Sequence, residues 1–135
     1  EIAETKETIE FVDENGEVMA IFTPYSESNP APSKLARDTK VNVNCSVPGR
    51  QQGYLSNIYY FSGGQKLQLN ITINPQVSSN VGLYNRDTNS FGFPEGGLSS
   101  SGWYGTLEVS NSGRYSLAFR NNSGTTANYT GSYTF

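Results

Sequence analysis

Histidine is absent from the 135-residue chain, and cysteine, methionine and tryptophan occur once each. Without imidazole the chain lacks the commonest general base near neutral pH and the commonest transition-metal ligand. A lone cysteine, Cys45, excludes an internal disulfide. With no imidazole to activate it, the thiol reads as a small apolar side chain on the face shared by Val41, Val43 and Val47. No run approaches the ~20 apolar residues that carry a helix across a bilayer. Nor do apolar residues recur at i, i+3, i+4 and i+7 over any length, so little or no helix is expected. Cations are sparse as well: residues 41–135 hold five against three acids, and residues 1–40 hold four against nine. The net charge of −3 leaves no basic stripe to neutralise phosphates, which excludes nucleic acid as a partner.

What is abundant is Asn, Ser, Thr, Gly and Tyr, the composition of half-buried strands joined by polar turns. The stretch Thr106–Phe119 sets the pattern: Leu107/Val109 and Tyr115/Leu117/Phe119 alternate on either side of Ser110–Gly113 and read as a hairpin with one buried face. Residues 1–8 are charged and almost without apolar side chains, so they are expected to be a flexible acidic tail. The polar start fits a processed exported protein or a piece of a longer chain. Residues 9–22 read as a second hairpin about Asn15-Gly16, with a short helix over Thr5–Val12 as the competing reading. Pro24, Pro30 and Pro32 then mark 23–38 as a connection, giving an N-terminal segment over 9–38 ahead of a body over 39–135.

In the body, Thr39–Val47 alternates cleanly, Asn57–Phe61 is a short strand ending at Gly63-Gly64, and Leu67–Ile73 is a strand closing at Asn74-Pro75. The double glycine reads as the turn joining the last two. A strand over Val81–Tyr84, an Asx-rich turn over 85–90 and a closing strand over Tyr129–Phe135 complete the ordered part. Ser90–Gly102 reads as the longest irregular loop of the body. The expectation is all-β, an antiparallel jelly-roll-like sandwich of about eight to nine strands.

From residue 57 onward the chain resembles the bacterial pre-peptidase C-terminal family of β-sandwich domains on exported proteins. The resemblance rests on Tyr60-Phe61-Ser62-Gly63-Gly64, Leu67-Gln68-Leu69-Asn70-Ile71, Leu83-Tyr84 before a polar turn, Ser112–Phe119, and Gly131-Ser132-Tyr133-Thr134-Phe135. It implies a fold and an extracellular or cell-surface address. It carries over no catalytic residue.

Three kinds of site are open to these residues. Catalysis would have to rest on Asp87 and Glu95 as a carboxylate pair, against the plainer reading of two solvated loop acids, so a non-enzyme is expected. Asn85, Asp87 and Asn89 have the oxygen spacing that begins a calcium loop, but Ser90 stands where glycine is needed, and an ordinary turn explains the same residues. Phe91, Phe93 and Tyr104, with Glu95, could make an aromatic platform for a glycan, against core packing for the aromatics. Alternation puts Trp103 inward with Leu107 and Val109, and Tyr104, Thr106 and Glu108 outward. The chain is thus expected to be a monomeric, non-catalytic bacterial binding or accessory module without a resident cofactor. Its partner would be a glycan or another extracellular protein. The alternatives are a carbohydrate-binding protein using 85–104 and a structural or adhesive protein pairing through an exposed strand edge.

Overall fold

The computed structural model describes residues 8–25, 39–94 and 99–135, with backbone only for 99–101. Among these residues there is no helix, and ten strands run in order. They are β1 (Ile9–Val12), β2 (Val18–Pro24), β3 (Lys40–Val47), β4 (Gln52–Tyr54), β5 (Tyr59–Phe61), β6 (Lys66–Asn85), β7 (Ser90–Pro94), β8 (Ser99–Val109), β9 (Gly113–Asn121) and β10 (Ala127–Thr134). The chain is all-β, and every pairing is antiparallel. The expected acidic tail, except Thr8, lies outside the described residues, as do residues 26–38 and Glu95.

β6 organises the molecule. Its first half pairs β10 on one side and β8 on the other, and its second half pairs β9 and β7. The changeover falls where the register with β8 shifts, between Thr72 and Val77, and contains the cis Asn74-Pro75 bond. Proline cannot donate to a ladder, so pairing is interrupted there while the chain runs on. Two separate strands were expected over 67–73 and 81–84; one 20-residue strand crossing between layers is found.

From β8 the ladder continues through β2, β1 and β7 and returns to β6, so five strands close into a ring. Beside the ring, β3 extends the first layer through β10, while β4 and β5 extend the second through β9. A barrel with two added wings therefore replaces the sandwich of separate sheets. Alternation could not distinguish them, because a strand buries the same face in either. The hairpin over 9–22 is present, with a bulge at Phe11/Val12, and two of the ring's five strands are its own.

The stretch Thr106–Phe119 is not a hairpin. β8 pairs β2 and β6, whereas β9 pairs β4, β5 and β6, so Ser110–Ser112 is an arch from one layer to the other. The Gly63-Gly64 turn is a second arch stacked on the first. Gly64 N donates to Val109 O (2.7 Å), Val109 N to Gln65 O (2.9 Å) and Gly63 N to Ser112 Oγ (2.9 Å). Each strand still buries its alternating face, but its facing partner lies across the core and not alongside. Ser90–Gly102 is likewise no continuous loop, since β7 and the start of β8 occupy most of it.

Both layers contribute to one core: Leu67, Leu69, Ile71, Val81, Leu83, Leu107, Val109, Leu117 and Phe119 are fully or almost fully buried. Phe11, Phe22 and Trp103 join the hairpin to β8, with the Phe22 and Trp103 rings 5.0 Å apart and the Phe11 and Trp103 rings 6.1 Å apart. Trp103 is in the core, as its phase implied. Tyr129 is buried with its hydroxyl on Ser79 Oγ. Cys45 packs half-buried against the core, where desolvation raises its thiol pKa, away from the reactive thiolate.

Candidate functional site

The outer face of the first layer is built from ladder rungs. Tyr104 on β8 stands opposite Asn70 on β6, Asn70 opposite Ser132 on β10, and Ser132 opposite Asn42 on β3. The next rung is Thr106, Gln68, Thr134 and Lys40. These outward positions cross four strands, about 14 Å at ~4.8 Å per strand. A groove of about 400 Å³ lies over them, lined by Tyr25, Lys40, Gln68, Leu69, Asn70, Tyr104, Ser132 and Thr134.

Tyr104, at an outward position of β8 two residues from Gly102, is 42% exposed. A Cβ on Gly102 would sit 2.3 Å from the Tyr104 ring, so the ring lies over the glycine, and its hydroxyl meets Thr72 Oγ1 at 2.6 Å. An aromatic ring laid back over a strand glycine covers backbone with one face and offers the other to solvent. Beyond Tyr104 is an apolar hollow of about 320 Å³ among Ile9, Phe22, Pro24, Tyr25 and Trp103. The buried Trp103 indole Nε1 has no hydrogen-bond partner there among the described residues.

Phe91 and Phe93 are brought together, but on another face. They project from β7 onto the outside of the second layer, where Tyr54 and Tyr84 stack at 4.6 Å, Tyr84 and Phe91 at 4.3 Å, and Phe91 and Phe93 at 5.7 Å. Arg86 lies 4.9 Å over Tyr54, and Arg120 lies 4.7 Å over Phe93. Phe93, at one end of the row, is only 4% exposed, while Tyr54, at the other, is 46% exposed, so the rings pack on one another and open to solvent at the Tyr54 end. Tyr104 does not join it.

No family model matches the chain, and neither a curated protein nor a solved structure matches it.

Asn85, Asp87 and Asn89 form the expected turn, with Asn89 at φ 57°. Asn85 Oδ1 accepts from Asp87 N (2.9 Å) and Asn89 Oδ1 accepts from the Tyr84 hydroxyl (3.0 Å). Asp87 accepts from Arg114 N (3.0 Å) and Arg114 Nε (2.7 Å). A calcium ion taking these oxygens would have to displace Arg114 from Asp87. The bonds from Arg114 hold the Asp87 carboxyl below its ordinary pKa. A depressed folded pKa contributes stability above the unfolded value, and that contribution is lost as pH falls through the folded value. Asp87→Asn is therefore expected to lower the urea midpoint at neutral pH and to converge on the wild type in acid, below the ordinary carboxylate pKa of about 4. A gap that stays constant down the pH series would contradict this role.

Sequence reasoning missed Lys40, Gln68, Asn70, Ser132 and Thr134. Each stands at an outward position of an alternating strand, but only the register places them side by side.

Proposed function

We propose that this chain is a non-catalytic binding module that takes a glycan across the outer face of β3, β10, β6 and β8, at the surface of a bacterial cell or outside it. The observation carrying the reading is the Tyr104 ring laid over Gly102, one face open, beside two rungs of amides and hydroxyls. A sugar ring has an apolar face for an aromatic and hydroxyls for amide and hydroxyl partners, which is what Tyr104, Asn70, Gln68, Ser132 and Thr134 offer. The non-catalytic reading is supported by the lack of histidine and by the Asp87 carboxylate being engaged with Arg114. The resemblance to pre-peptidase C-terminal domains supports an exported setting.

Strand addition on β3 is the second reading. This eight-residue strand pairs only with β10 among the described residues. The outward Lys40, Asn42, Asn44 and Ser46 weaken it, because charged and polar edges discourage pairing.

Tyr104→Ala is expected to weaken glycan binding about tenfold or more, equivalent to about 1.4 kcal/mol. Tyr104→Phe, which keeps the ring and loses only the Thr72 contact, should bind nearly as the wild type does. Affinity electrophoresis in gels containing soluble polysaccharides reads both. Equal retardation of wild type and Tyr104→Ala would remove the platform.

A further inference from the structure

The groove beside Tyr104 has two spacings built into it. Across the ladder, neighbouring strands stand ~4.8 Å apart, whereas outward side chains along one strand recur only every second residue, at about 6.8 Å. The spacing that a repeating ligand matches decides the direction in which it lies.

Two rungs border the groove. Asn70 and Ser132 are register partners on one side of it, Gln68 and Thr134 are register partners on the other, and Leu69, a core residue, lies between. At the β8 end stand Tyr104, opposite Asn70, and Tyr25, whose N donates to Tyr104 O (3.0 Å). At the β3 end stands Lys40, exposed and opposite Thr134. The groove therefore crosses all four strands, and the side chains bordering it between Tyr104 and Lys40 are amides and hydroxyls. Ladders with β10 and β8 hold β6 on both sides through Gln68 and Asn70, so the rungs are set before any ligand arrives. Binding then costs little ordering of backbone.

An extended β-linked pyranose chain is a flat ribbon with hydroxyls along both edges. Its sugars repeat at close to the strand spacing and well short of the spacing along a strand. Laid across the strands, each sugar meets one strand, and each edge of the ribbon meets one rung. Laid along a strand, the same chain falls out of step with the side chains after one or two sugars. An α-linked chain of the amylose type curls away from such a row.

We infer that the groove takes a four-sugar segment of an extended β-linked polysaccharide lying across the strands, one sugar over each of β8, β6, β10 and β3. Tyr104 takes the first sugar and Lys40 the fourth. This assignment rests on the glycan reading of the face and specifies its substrate class and length.

The test is calorimetric titration with cello-, xylo- and chito-oligosaccharides of two to six sugars, against malto-oligosaccharides of the same lengths. In at least one β-linked series, affinity is expected to rise about fivefold with each sugar up to four, as one net hydrogen bond per sugar would give, and then to level. Lys40→Ala should abolish the step from three sugars to four, and Tyr104→Ala should weaken binding at every length. Levelling at another length, malto-oligosaccharides bound as tightly as every β-linked series, or a step from three to four that survives in Lys40→Ala would overturn the four-sugar site and leave the glycan reading standing. Binding of no oligosaccharide in any series would overturn both.

Discussion

Gly131→Val should destabilise the protein by about 3 kcal/mol or more, as expected when backbone strain and a steric clash act together. Gly131 sits inside β10, paired with Val43 on one side and Ile71 on the other. Its φ is +129°, a conformation L side chains rarely adopt, and a Cβ there would lie 2.0 Å from Asn70 O. The Asn70 carbonyl cannot yield without disturbing β6, which is held in ladders with β10 on one side and β8 on the other. Gly16 is the control, because it too has a positive φ (+81°) but has nothing within 4 Å. Gly16→Ala should therefore cost only about 1 kcal/mol, the backbone part alone. Urea unfolding of the two variants reads the difference, and equal losses would mean that β10 does not pass so close to β6.

Phe22→Ala should cost about 3–5 kcal/mol and lower the midpoint of the whole transition. Phe22 is 2% exposed and packs between Phe11 and Trp103, so its loss opens a cavity where the hairpin meets β8. Because β1 and β2 complete the ring, the hairpin cannot loosen while the remainder stays closed. Trp103 fluorescence and far-ultraviolet circular dichroism are expected to give coincident transitions in wild type and variant. A hairpin packed apart from the body would instead leave the circular dichroism midpoint of Phe22→Ala at the wild-type value.

Local signals carried the strands, because burial on one face imposes period two on residues such as Val41/Val43 and Leu67/Leu69/Ile71. They did not carry the connections. Ser110–Ser112 and Ser62–Gln65 have the composition of hairpin turns yet serve as arches, since a turn residue needs only its φ/ψ, whichever layer comes next. β4 was invisible because Gln52-Gly53-Tyr54 is too short to alternate. Of the candidate platform, Tyr104 was legible from its outward phase opposite Trp103. That Phe91 and Phe93 stand on a different face from Tyr104 was not legible, because their alternation about Gly92 gives no sign that Tyr84 and Tyr54 would stack against them.

The most direct measurement of the central claim is a fluorescence titration of the wild-type protein with cell-wall and plant polysaccharides. Trp103 is the single tryptophan and lines the hollow next to Tyr104. A saturable change in its emission with a glycan, lost in Tyr104→Ala, is the expected result. A flat response across the panel, or a saturable response that Tyr104→Ala leaves intact, would contradict glycan binding at the Tyr104 face.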